Sequence, residues 1–248
     1  MKTSPEARKE FIFYETDWLG KTFNRLEVVR SPKWVTMKAA LNLLLQRGGE
    51  QIVETGTQRM HDDPGGASTT IYGAFCQKYG LRLVTVDNTP HHMETSKLET
   101  KEYAAYIEYV LQDSISFLSR WNVHERGWID LLYLDSMDCD PEGDSTIPQE
   151  HQRSEFLAAE HALKPGSILL LDDNNFPSGG KTRLLKDLLL ISPEWECVYD
   201  WGQSLWLKTK EYDLSVEKTE SAFTSPIPIR LAQSYGTANV NQPMTIPA

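Results

Sequence analysis

Asp135, Asp172 and Asp173, with Asn174 beside them, are the residues of this chain with the sharpest chemical potential. They terminate two apolar runs, residues 129–135 and 167–172, of the kind that parallel strands buried on both faces display. If those strands are neighbours in a sheet, their ends lie about 5 Å apart and the carboxylates converge. Three uncompensated carboxylates at one edge repel each other, and a divalent cation relieves the repulsion. Donors that are all oxygen suit magnesium, or manganese or calcium, better than zinc. The plainer alternative is that acids at strand ends cap helices or sit in solvated turns.

A second constellation precedes it. Glu54-Thr55-Gly56-Thr57 follows a short apolar stretch, and Gly65-Gly66-Ala67-Ser68 opens a helical pattern. Residues 81–86 then read as another strand, ending on Asp87-Asn88. Glycines let a backbone turn beneath a ligand, a helix N-terminus offers unpaired N–H groups, and an acid after the second strand can accept both hydroxyls of a ribose. The G-x-G-x-x-G pattern of dinucleotide folds is absent. Glu54 would repel a pyrophosphate but attract a ligand that carries an ammonium and a sulfonium. S-adenosylmethionine carries both. Gln112-Asp113-Ser114 follows a third strand-like run; Asp113 and Ser114 suit the exocyclic amine of an adenine, or Asp113 is simply the N-cap of the next helix.

The elements that must position these groups alternate. A helical spacing of Trp34, Met37, Leu41, Leu44 and Leu45 precedes strand one, which ends at Glu54. Strand three is read over 106–111, a helix carrying His151 over 148–162, another helix over 180–191, and a final pair of strands over 195–201 and 204–208. The α/β class follows, as a mostly parallel sheet with helices on both faces. Residues 1–35 read as a cap or lid, 36–210 as the ligand-binding domain, and 211–248, rich in Ser, Thr, Pro and Asn, as a surface arm or partly disordered end. Ser178-Gly179-Gly180-Lys181-Thr182 looks like a phosphate-binding loop, but Asn175 stands where its first glycine belongs, so an ATPase reading is set aside.

Glu54-Thr55-Gly56-Thr57, Gly66-Ala67-Ser68-Thr69 and Val84-Thr85-Val86-Asp87 resemble the first two motifs of class I S-adenosylmethionine-dependent methyltransferases, and most closely the small O-methyltransferases of the catechol and macrocin type. Residues 58–64 are extra relative to that pattern. The resemblance implies a seven-stranded Rossmann-like sheet. It also implies cofactor contacts from Glu54, Thr55, Gly56, Thr57, Gly66, Ser68, Asp87, Asn88, Asp113, Ser114 and Asp135, and metal ligation by Asp135, Asp172 and Asp173 or Asn174. The expected activity is O-methylation of a small hydroxylated molecule, with the metal lowering the hydroxyl's pKa. Asp138 stands where the catechol-type enzymes carry a lysine base; Asp140 and His151 compete with it, and His151 has the more suitable intrinsic pKa, unless its helix position means packing. The helix before strand one either packs in the core or, as in the family, covers the cofactor or forms a homodimer contact. Rivals on the same fold are a metal-free N- or O-methyltransferase and a non-catalytic binding protein; a dinucleotide-dependent oxidoreductase is the rival with other chemistry.

Composition narrows the partner. A formal charge of −10 over 248 residues disfavours unspecific nucleic-acid binding, which needs surplus Lys and Arg, and favours a small molecule. Cys76, Cys139 and Cys197 are scattered and form no C-x-x-C pair, so reduced thiols are expected. No stretch reaches the length of a membrane span, and the N-terminus lacks a signal peptide's apolar centre; the expectation is a soluble, cytoplasmic protein. Trp18, Phe176 and Trp201 either clamp a substrate ring or pack.

Overall fold

The computed structural model describes residues 33–59, 67–140 and 143–209. Helix α1 (Lys33–Gln46) leads into β1 (Gln51–Thr55), and α2 (Ser68–Tyr79) into β2 (Arg82–Asp87). Then come α3 (Pro90–Glu99), β3 (Ile107–Leu111), α4 (Ser114–Ser119), the single turn α5 (Val123–Arg126) and β4 (Leu131–Leu134). The chain continues through α6 (Thr146–Ala159), β5 (Ile168–Leu171), α7 (Arg183–Ile191), β6 (Trp195–Asp200) and β7 (Ser204–Lys208). The strands form one sheet in the order β3-β2-β1-β4-β5-β7-β6. All pairings from β3 to β5 are parallel, while β7 runs antiparallel to both β5 and β6.

Alternation along the strands divides the core in two. Ile52, Leu83, Leu131, Tyr133, Ile168 and Leu170 point to one face, where Met37, Leu41 and Leu44 of α1 and Ile71, Tyr72 and Phe75 of α2 cover them. Val53, Val84, Leu132, Leu134, Leu169 and Leu171 point to the other, under Phe156 of α6 and Leu185 and Leu189 of α7. Such side chains contribute about 1.5–3 kcal/mol each when fully buried. The apolar spacing of α1 is therefore a core stripe. The last strands read from the sequence are the antiparallel pair observed.

Boundaries shift where local chemistry overrides hydrophobicity. Tyr106, read as the start of strand three, closes a 3-10 turn over Lys101–Tyr106. The helix expected to run to Ala162 leaves α geometry at Glu160 and finishes as a 3-10 turn. The next helix starts at Arg183 rather than Gly180, because Gly179 and Gly180 both have positive φ. The chain divides into two compact units, 1–212 and 213–248. The second unit, with the expected arm, lies outside the described residues, as does the expected cap except for the start of α1. None of the described helices is long and apolar enough to cross a membrane.

Candidate active site

Strand β1 pairs with β2 on one side and β4 on the other, so the connections leave the sheet in opposite directions at its carboxyl end. A crevice opens at such a switch point, and ligands of open α/β sheets bind there. Gly56 sits in it with φ +80, and a Cβ on it would lie 2.3 Å from the carbonyl oxygen of Asp135. Only glycine lets the loops after β1 and β4 approach this closely. Two adjoining cavities result. One of about 370 Å³ is lined by Lys33, Thr57, Ser68, Asp135, Asp173 and Phe176 among others. One of about 250 Å³ is lined by Asp87, Asn88, Ser114 and His151 among others. Gly56, Arg59 and Asp138 belong to both walls.

Glu54 is wholly buried and receives hydrogen bonds from the hydroxyls of Ser68, Thr69 and Thr85. Burial raises its carboxyl to about 7 and those hydroxyls offset part of the rise. Its reach into the larger cavity runs through Ser68. Asp87 accepts from the backbone N–H of Thr57 at 3.2 Å and of Thr89 at 2.7 Å, which fixes its carboxylate at the rim of the smaller cavity. Thr55 is buried beneath this edge. Asp113 is the N-cap of α4, accepting from the Ser116 N–H at 2.8 Å, and Ser114 next to it is buried at the smaller cavity. The structure thus brings Gly56, Thr57, Ser68, Asp87, Asn88, Ser114 and Asp135 to one crevice. Gly66 and residues 60–64 of the extra loop lie outside the described residues, as does Trp18.

Asp135, Asp172 and Asp173 converge as their positions suggested: Leu134 pairs with Leu171, and one oxygen from each acid lies within 4.8 Å of the others. Tyr133 Oη stands 3.0 Å from both Asp135 Oδ2 and Asp172 Oδ2, and Gln203 donates to Asp172 Oδ1 at 3.1 Å. The expectation of uncompensated acids is corrected, because two ammonium groups enter the cluster. Lys33 Nζ lies 2.5 Å from Asp172, and the buried Lys181 Nζ lies 2.7 Å from Asp135 and 3.2 Å from Asp173. Burial and the neighbouring Asp172 raise Asp135 to about 7. Burial alone would raise Asp172 as well, but Lys33 and Lys181 outweigh it and hold that carboxyl well below the usual range. The donor set is three carboxylates, with Asp135 and Asp173 lining the larger cavity and Asp172 buried behind them, and it fits a hard divalent ion such as magnesium.

Three candidates are placed otherwise than expected. Asn174 takes no part in the cluster: its amide nitrogen donates to Asp200 and to the Trp201 carbonyl, and its oxygen accepts from Thr182 and Lys186. Asp138 lines both cavities but forms an ion pair with Arg59 at 2.5 Å, which holds its carboxyl below the usual range and weakens it as a proton acceptor. His151 lines the smaller cavity and not the larger one, near Ser114; the adjacent Glu155 carboxylate raises its imidazole despite partial burial. Of the aromatics, Phe176 lines the larger cavity and Trp201 is exposed. Sequence reasoning passed over Lys33, Arg59, Tyr133 and Gln203, and met Lys181 only as part of a discarded phosphate-loop pattern.

Strand order, switch-point crevice and closing antiparallel pair are those of the class I methyltransferase fold. Residues 53–174 match the family described as Methyltransferase domain. No curated protein sequence matches the chain. Among similar solved structures is an O-methyltransferase from Bacillus cereus in complex with SAH, 16% identical, covering 77% of this chain and 90% of that one with a TM-score of 0.50. Another is CalS11, a TDP-rhamnose 3'-O-methyltransferase of calicheamicin biosynthesis, 16% identical over 84% of this chain and 96% of that one, with a TM-score of 0.52. A third is the MycE methyltransferase of the mycinamycin pathway in complex with Mg, SAH and mycinamycin VI, 17% identical over 77% of this chain and 54% of that one, TM-score 0.53. At these identities the likeness speaks for the fold.

Proposed function

We propose that this chain is an S-adenosylmethionine-dependent O-methyltransferase that methylates a hydroxyl of a small molecule, with a divalent ion of the magnesium type held by Asp135, Asp172 and Asp173. The observation that carries this is the pair of adjoining cavities at the switch point. One is furnished with Asp87 and Ser114, the other with the acid cluster, and Gly56 lies between them. Two of the similar structures described above are O-methyltransferases, and the third was solved with Mg and SAH, which supports the reading.

S-adenosylmethionine would supply the methyl group, which passes to the acceptor oxygen by direct displacement. A divalent ion, when bound, would lower the pKa of the acceptor hydroxyl. The chain's own residues do the positioning. Asp87, fixed by two backbone N–H groups, accepts ribose hydroxyls; Ser114 lies at the adenine end; Ser68, backed by the Glu54 carboxylate, addresses the methionine end. Gly56 lets donor and acceptor sites meet without an intervening side chain. Because displacement needs oxygen, carbon and sulfur in line, this alignment carries much of the rate. Of the acid-base candidates, Asp138 lines the acceptor cavity and His151 does not, so Asp138 must first part from Arg59 to take the proton.

Calorimetric titration of S-adenosylhomocysteine into the purified chain, once with magnesium and once with EDTA, tests the reading. Binding in both buffers, with methyl transfer to a panel of hydroxylated compounds only in magnesium, is the expected result. A folded protein that binds S-adenosylhomocysteine in neither buffer would overturn it.

A further inference from the structure

Lys181 is nearly as buried as the core leucines, with 1% of its side chain exposed. Its ammonium has three N–H groups and three oxygens around it: Asp135 Oδ1 at 2.7 Å, the Met137 carbonyl at 3.1 Å and Asp173 Oδ2 at 3.2 Å. An ordinary surface lysine trails into water, because stripping an ammonium of its hydration is costly. Here the backbone is shaped to deliver one. The loop from Asp173 bulges out and returns so that the Lys181 N–H donates to the Asp173 carbonyl at 3.2 Å. Asp173 itself has φ +55, a conformation that a non-glycine residue seldom adopts. Gly180 has φ +59, and a Cβ on it would lie 1.8 Å from the Asp173 oxygen, so no other residue fits there without moving the turn. Buried Gln149 of α6 pins the turn by donating to the Gly180 carbonyl at 2.8 Å.

Two of the three oxygens that hold this ammonium belong to carboxylates expected to hold a divalent ion. A lysine ammonium and a hard metal ion seek the same donors, and they repel each other when both are present. With Lys33 on Asp172 and Lys181 on Asp135 and Asp173, two ammonium groups already face the three carboxyl groups. We propose that Lys181 is the resident counter-cation of the acid cluster, and that a divalent ion binds only as its ammonium withdraws from Asp135 and Asp173. The cluster therefore stays assembled without metal, and its metal affinity is set by exchange against a tethered competitor. The inference rests on the reading of the cluster as a cation site, and it is independent of the methyl acceptor.

The test is manganese binding to the full chain, followed by the electron paramagnetic resonance of free Mn²⁺, for wild type, Lys181→Met, Lys181→Gln and the double variant Lys181→Met with Asp135→Asn. Both single variants should bind at least tenfold more tightly than wild type, and the double variant should lose the gain. Absence of the gain in both single variants overturns the proposal. On the wild type, acetylation mapped by mass spectrometry should leave Lys181 unmodified without metal and modify it at saturating Mn²⁺; protection that persists at saturation is equally fatal. S-adenosylhomocysteine titrated into the same samples separates the two readings. Its failure to bind folded wild type sinks the methyltransferase assignment, whereas the manganese result bears on Lys181 alone.

Discussion

The carboxyl of Glu54 lies in the interior of the sheet, shielded from water and surrounded by three hydroxyls, and its pKa is raised to about 7. For an acid raised on folding, the native state holds the proton over the interval in which the unfolded chain has lost it. Glu54's share of stability is therefore whole below about 4.5 and is lost as the pH climbs to about 7. Glu54→Gln removes that titration. In urea unfolding at pH 8 the variant should be more stable than wild type by ~3 kcal/mol, and the two should converge at pH 4.5; parallel curves across the range would contradict the argument. His151 has the same sign over a higher window. The Glu155 carboxylate raises it, with Asp113 adding to the rise and burial and Lys181 opposing it, so its contribution is full below 6.5 and fades as the pH passes the folded value. Glu155→Gln should lower the His151 midpoint in an NMR titration of the imidazole C2 proton, and an unchanged midpoint would free Glu155 of that role. Residue types alone announced the acids but not their state. Asp138 reads as a free aspartate until Arg59, from another loop, is seen on it.

The parallel strands were legible as elements because burial on two faces leaves near-continuous apolar runs, and β4 and β5 needed little more than that. Element ends were less legible. Hydrophobic periodicity carries no information about where a helix tightens to a 3-10 turn, as at Glu160, or where consecutive positive φ values delay one, as at Gly179 and Gly180. The turn after β1 is the element on which the crevice depends. Gly56→Ala combines φ +80 with a Cβ placed 2.3 Å from the Asp135 carbonyl oxygen, so the β1 and β4 loops must part. The expected cost is ~1–3 kcal/mol in thermal or urea unfolding, together with loss of S-adenosylhomocysteine binding. A variant that binds as tightly as wild type would show that the two loops need not meet.

At the scale of the whole molecule, the acid cluster was visible as a convergence of strand ends, and its counter-charges were hidden. Lys33 arrives from the first turn of α1 and Lys181 from the loop after β5. Neither position has a motif that points to Asp135, because the sheet and not the sequence spacing makes them neighbours. Asn174 shows the converse: adjacent in sequence to Asp173, it is drawn away by Asp200, Trp201 and Lys186. The sheet order has one more consequence. Strand β7 does not add to the outside but lies between β5 and β6, and all five of its residues are buried. During synthesis, β5 must therefore wait with an open edge until residues 204–208 have left the ribosome, and β6 has nothing to pair with before then. A chain released at Trp201 should accordingly collect in aggregates or remain bound to chaperones, while one released at Tyr212 should yield soluble, cooperatively melting protein; soluble folded product from the shorter chain would show that β7 is dispensable.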